Sequence, residues 1–166
     1  MILSRATPKD ASEIWIIIQQ AIEQRRADGS NQWQNGYPNL QSIEEDIEKK
    51  VGFVLIENHQ ILAYAAVIFD GEPAYDSIVG KWLSNQNYVV VHRVATSNLF
   101  KKQGVGTKLF LEIEHLALQN QIYSIKVDTN FDNIPMLKIL DKLYYTHCGE
   151  VMLKGAPRMA FEKVLK

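Results

Sequence analysis

The chain has 166 residues, 46% of them hydrophobic and 22% charged, with a formal net charge of −1. That length suits one domain with a full-sized core, and the near-zero charge excludes a global basic field for nucleic acid or an anionic membrane. The lone cysteine, Cys148, excludes an intramolecular disulfide and a thiolate zinc framework, and it fits a reducing compartment.

The opening stretch, MILSRATPKD, lacks the long apolar core of a secretory leader. Ile61 to Phe69, the longest apolar run, falls short of the ~20 residues that cross a bilayer. A cytoplasmic protein with one domain over residues 1–166 is therefore expected. Ile2 to Arg5 reads as a short strand. Thr7 then suits an N-cap and Pro8 a first helical position, and Ile14, Ile17, Ile18, Ala21 and Ile22 recur at helical spacing to about Ala27. Asp28 to Asn39 is a loop carrying Trp33 and Tyr37. Leu40 to Lys50 predicts a second helix.

Phe53 to Asp70 contains two β-type runs joined at Asn58, His59 and Gln60, the pattern of a hairpin. Gly71 to Asn87 reads as irregular or briefly helical. Tyr88 to Thr96 is β-branched almost throughout and predicts a central strand. Val105, Leu109, Ile113, Leu116 and Ala117 make a helical stripe. A strand over Tyr123 to Thr129 and a helix over 132–143 follow. Strands near Tyr145 to Leu153 and Met159 to Leu165 close the chain. The order βααβββαβαββ predicts an α/β (α+β) protein with a mixed sheet of about seven strands flanked by about four helices.

Between the central strand and the next helix stands FKKQGVGTKLF, Phe100 to Phe110. Two lysines precede the glycines, and the segment opens into an amphipathic helix whose first N–H groups are unpaired, a natural anion site. Spacing excludes two common phosphate loops. A dinucleotide fingerprint needs a glycine where Leu109 stands, and a P-loop needs four residues between its glycines rather than one.

The segment resembles the acetyl-CoA loop of the GNAT N-acetyltransferases, Gln/Arg-x-x-Gly-x-Gly/Ala. Lys101-Lys102-Gln103-Gly104-Val105-Gly106 matches it, with Lys101 where Gln or Arg is usual. Asn133 to Tyr145, NIPMLKILDKLYY, is similar to the family's second signature, an Asn followed by LYEKLGF, and the element order matches from Ile2 to Leu165. The resemblance implies a GNAT fold whose fourth and fifth strands splay apart to admit pantetheine. It also implies acetyl-CoA as cofactor, backbone contacts from Val94, Ala95 and Thr96, and a diphosphate wrapped by Lys102, Gln103, Gly104, Val105, Gly106 and Thr107. Lys101 is a further point charge for the phosphates, and Asn133 would touch the arm.

Such an enzyme acetylates an amine, and an alkyl amine near lysine's pKa of ~10.4 must lose a proton first. His92 is the candidate base. Strand alternation puts it on one face with Val90 and Val94, with Arg93 pointing away. Arg93, if buried, needs a carboxylate partner. The family's usual acid, the tyrosine of LYEKLGF, is Leu140 here, which leaves Tyr144, Tyr75, Tyr145 or water as proton donors; Tyr144 is a candidate acid and Tyr145 reads as core.

Trp33, Tyr37, Glu72, Tyr75, Asp76, Asp128 and Asn130 are candidate acceptor-site residues, with helix capping the alternative role for Asn130. Glu112 and His115 share a face with Lys108 and Gln119 and read as solvated. His147 and Cys148 point to opposite sides of a strand, and no metal is expected. The partner expected is a small-molecule or peptide amine, with neither nucleic acid nor membrane, and a homodimer is compatible with the reading. The alternative function is a catalytically silent acyl-CoA-binding or sensing module of the same fold.

Overall fold

The computed structural model describes the whole chain, Met1–Lys166. In chain order the elements are β1 (Ile2–Arg5), α1 (Ala11–Ala27), α2 (Leu40–Glu48), β2 (Gly52–Glu57), β3 (Gln60–Ile68), β4 (Val79–Gly80), β5 (Val89–Thr96), α3 (Val105–Gln119), β6 (Ser124–Thr129), α4 (Ile134–Lys142), β7 (Thr146–Leu153) and β8 (Ala156–Val164). The strands are hydrogen-bonded in the order β1-β2-β3-β5-β6-β8-β7-β4, which places β5 inside the sheet as its β-branched sequence predicts. The count is eight strands rather than about seven. The extra strand, β4, lies in the segment expected to be irregular, and two residues are too few to show a period-2 alternation. No helix is long and apolar enough to cross a membrane.

The chain divides into two compact units, each made of separated segments: Met1–Val67 with Arg93–Glu112, and Ile68–His92 with Ile113–Lys166. In the first, Asp10 accepts hydrogen bonds from both the Thr7 N–H and its hydroxyl at 2.7 and 2.8 Å, which closes the turn that starts α1. Ile14, Ile17 and Ile18 of α1 pack with Ile43 of α2, Val54 of β2 and Ile61 and Tyr64 of β3. These positions repeat at helical spacing on the helices, so one face of each is buried. The β2–β3 hairpin turns on Asn58 and His59, both at positive φ (49° and 62°), the conformation a two-residue primed turn demands.

In the second unit, the start of β5 pairs in parallel with β6, Val90 opposite Lys126. β6, β8, β7 and β4 continue antiparallel. Tyr75, Val90, Val151 and Ala160 form its core, joined by Ile68, Ile78, Trp82 and Tyr88. Much of that cover comes from residues 71–88, which fold over a sheet face bearing His92, Lys126, Asp128 and Glu162.

Candidate active site

His92 lies in the second unit, near the middle of β5, with a carboxylate at each ring nitrogen. Its Nε2 is 3.1 Å from Oε2 of Glu72, and its Nδ1 is 3.5 Å from Oδ1 of Asp128, an ion-pair rather than a hydrogen-bond distance. Asp128 comes from β6, two residues beyond Lys126 on the same face, and accepts a 2.6 Å hydrogen bond from the Tyr75 hydroxyl. Tyr75 is fully buried and meets the His92 ring edge-on with centroids 6.2 Å apart. Burial, followed by the charge and hydrogen bond of Asp128, pushes the Tyr75 phenol well above its ordinary value, so it stays a donor.

Glu72 is held by its own turn. Gly71 precedes it at φ +81°, where a Cβ would come within 3.3 Å of the Tyr88 hydroxyl, so a larger residue is strained as well as crowded. The Glu72 Oε1 accepts from the Ala74 N–H at 3.2 Å, capping the short 3-10 turn Pro73–Ser77. The hydrogen bond to His92 lowers the Glu72 pKa most; burial opposes this, while the Ala74 N–H and the charges of His92 and Lys154 help.

Two further contacts hold the same covering segment to the sheet. Glu162 of β8, fully buried, accepts from Leu83 N at 2.6 Å, Ser84 N at 3.3 Å, Ser84 Oγ at 2.6 Å and Ser124 Oγ at 2.7 Å. Beside it, the buried Lys126 ammonium sits 4.5 Å from the Trp82 ring centroid and 3.9 Å from that of Tyr88. Burial lowers the Lys126 pKa, an effect opposed chiefly by Glu162. Nothing in the local sequence marked Lys126 or Glu162: each reads as one more charged residue on a mixed strand, and only the cross-strand register joins them.

Arg93, next along β5, belongs to the first unit and has φ +52°, so the pleat is interrupted there. The face shared by His92 and Val94 rests on unbroken alternation and does not carry past this residue. The carboxylate that a buried arginine requires is Asp46 of α2, which takes Arg93 Nε at 2.7 Å, Nη2 at 2.6 Å and the Tyr64 hydroxyl at 2.6 Å. The third guanidinium nitrogen, Nη1, donates to the Tyr37 hydroxyl. Burial alone would push the Arg93 pKa down, but the hydrogen bonds and charge of Asp46 outweigh it and hold it above the ordinary value. Burial and the Asp46 charge raise Tyr64. Asp46 was missed because it reads as one more acid in a charged helix. Its place three residues after Ile43, on the packed side of α2, is the signal that finds it.

The glycine loop is also in the first unit. Lys101, Lys102, Gln103 and Gly104 are exposed, and α3 begins at Val105. The Gly104 carbonyl accepts from Lys108 N at 2.9 Å, which makes Gly104 the cap and leaves the Val105, Gly106 and Thr107 N–H groups without intrahelical acceptors. Gly104 has φ +74° and nothing within 4 Å of a would-be Cβ, so its backbone is open to a large ligand. Lys101 donates to Gln24 of α1 at 2.9 Å, so of the two lysines expected at the phosphates it is already engaged. Val94 and Thr96 are half-buried and Ala95 is buried.

Other expected residues separate. Asn133, rather than Asn130, caps α4 and accepts from Met136 N at 3.4 Å. Asn130 instead donates to Asp132 and accepts from Arg158, at 2.7 and 2.9 Å. Asp76 is exposed. Trp33 packs against the core of the first unit. Tyr144 is 85% exposed after α4, while Tyr145 and Leu140 are buried as core residues.

The model of the acetyltransferase (GNAT) family matches residues 18–144. The chain belongs to that family. It is similar to a GNAT-family acetyltransferase from Streptococcus agalactiae, at 34% identity over 99% of this chain and 95% of that one, with a TM-score of 0.90. The same fold occurs in a GNAT-family acetyltransferase from Listeria monocytogenes, at 17% identity, TM-score 0.77, covering 99% and 94%. It also occurs in the aminoglycoside acetyltransferase AAC(6')-Ib solved with coenzyme A, at 16% identity, TM-score 0.71, covering 98% and 94%. No curated protein matches the chain.

Proposed function

We propose that residues 1–166 form one cytoplasmic N-acetyltransferase domain that moves the acetyl group of acetyl-CoA to a primary amine by direct attack on the thioester. The observation that carries this reading, given the family, is the imidazole of His92 set between two carboxylates on a half-buried sheet face. Acetyl-CoA is the cofactor. It supplies a thioester whose carbonyl carbon accepts an amine lone pair and whose sulfur leaves with the bonding pair. The residues present fit it: an exposed loop, open space at Gly104, unpaired amides at Val105, Gly106 and Thr107, and the Lys102 cation. Gln103 and the backbone of Val94, Ala95 and Thr96 would contact it too, with Lys101 after release from Gln24 and Asn133 from the cap of α4.

His92 takes the proton that the attacking amine must lose. Glu72, Tyr75, Asp76, Asp128, Trp33, Tyr37 and Asn130 are the acceptor-site candidates, and Tyr144 stays a candidate donor to the leaving thiolate. The experiment is thiol release against an amine panel by the wild type and His92→Ala. The variant should slow acetyl transfer by about a hundredfold or more with acetyl-CoA affinity unchanged. An unchanged rate removes His92 from the mechanism.

One observation favours a second reading. Leu140 is completely buried where the family carries its tyrosine acid, so no hydroxyl stands at that position. A silent acyl-CoA-binding module would bind acetyl-CoA tightly and release no thiol with any amine.

A further inference from the structure

We propose that the acceptor enters as an alkylammonium ion received by Glu72, which exchanges its contact with His92 for the incoming nitrogen, while Asp128 and Tyr75 hold the imidazole. This rests on the acetyl-transfer reading and names its substrate class. The argument starts from charge. With a neutral imidazole, Glu72 and Asp128 carry two negative charges around His92; with an imidazolium, one is still uncompensated. Tyr75 faces the cluster as a neutral donor. Lys154 acts on Glu72 from an exposed turn and is the smallest influence on it. A cationic acceptor balances the partly dry site, whereas a neutral one leaves the charge buried.

The two carboxylates are not equivalent. The Asp128 side chain is 5% exposed and Tyr75 already occupies the oxygen that faces His92. The Glu72 side chain is 22% exposed, with Oε1 anchored on Ala74 N and Oε2 meeting only the imidazole at 3.1 Å. Glu72 can therefore pivot on its turn, and Asp128 cannot leave.

Donor counting fits. At rest a proton lies between Nε2 and Glu72 Oε2, 3.1 Å apart. Once Glu72 releases the ring and the ring proton stands on Nδ1 toward Asp128, Nε2 and Oε2 are both free to accept. An ammonium has three N–H groups and satisfies both. It passes one proton to Nε2, its lone pair bonds to the acetyl carbon, and the carbon–sulfur bond breaks with its electrons on sulfur. The second proton lost from nitrogen goes to that sulfur to give the free thiol. The amide product carries no charge, so Glu72 holds substrate and not product.

The test uses butylamine, cationic near neutral pH, and O-propylhydroxylamine, of equal length and mostly neutral there, at saturating acetyl-CoA. The wild type should favour butylamine. Glu72→Gln should raise KM for butylamine roughly tenfold to a hundredfold and KM for the hydroxylamine less than about twofold. Glu72→Asp should restore part of the preference. Asp128→Asn should lower kcat for both with little change in KM, and shift the alkaline-rising limb of the kcat profile. Equal KM increases for both amines in Glu72→Gln, or a wild type preferring the hydroxylamine, overturns the assignment while leaving acetyl transfer intact. No thiol release with either amine by the wild type overturns both readings.

Discussion

Arg93 meets Asp46 through two parallel hydrogen bonds, Nε to Oδ2 at 2.7 Å and Nη2 to Oδ1 at 2.6 Å, at the residue where β5 takes a left-handed backbone turn. The guanidinium fork thus ties the strand immediately after His92 to α2 and, through Nη1, to Tyr37. Both partners are largely buried, with side chains 13% and 6% exposed. Arg93→Ala would leave Asp46 and Tyr64 facing one another without the cation. Urea denaturation should show a loss of about 3–5 kcal/mol. The double variant Arg93→Met with Asp46→Leu should lose less than either single removal, because no orphaned charge remains.

Glu162 spends its carboxylate on four donors, three of them from Leu83 and Ser84. Glu162→Gln keeps the shape but replaces one acceptor oxygen with an NH2 group. We expect a loss of about 2–3 kcal/mol and faster proteolytic cleavage near Lys81, with the rest of the chain resistant. Unaltered cleavage would show that the covering segment is held by its apolar contacts alone.

Acid should weaken the fold partly through Glu72. Its folded pKa lies below the ordinary 4.5, so the unfolded chain binds that proton more readily. The contribution is therefore complete above pH 4.5 and disappears as pH falls through the folded value. Thermal melts at neutral pH and at pH about 3 should show a smaller acid loss in Glu72→Gln than in the wild type. An identical loss in both chains would contradict the His92 contact as its source.

In the glycine loop, two substitutions should act differently. Lys102→Ala removes a cation without touching the backbone, so acetyl-CoA binding should weaken severalfold and become less sensitive to salt. Gly104→Ala meets no neighbour, yet it forces a side chain onto φ +74°. Its cost is about 1 kcal/mol of backbone strain, and calorimetry should show weaker acetyl-CoA binding with the salt dependence retained.

Much of the architecture was legible in the sequence. The β2–β3 hairpin was visible because two β-type runs flank the polar Asn58, His59 and Gln60, although the turn itself is Asn58–His59 and Gln60 already belongs to β3. β5 was visible because β-branched residues leave few other conformations, and the glycine loop because a cation pair and two glycines precede a helical stripe. Leu140 announced its departure from the family pattern by position alone, and its burial follows from its apolar side chain. Two-residue β4, and the choice of Asn133 over Asn130 as the cap of α4, are not legible in the sequence, since both depend on a hydrogen bond settled by neighbours rather than by composition.

The chain by itself determined the periodicities, the family motif and the candidacy of His92, because those are properties of residues near one another in sequence. Only the tertiary structure decided which partners the carboxylates meet: Asp46 with Arg93, Glu72 and Asp128 with His92, Glu162 with Ser84. These partners are 20 to 78 residues apart. A charge chooses its partner by distance and burial after the chain has closed, and no local pattern encodes that choice.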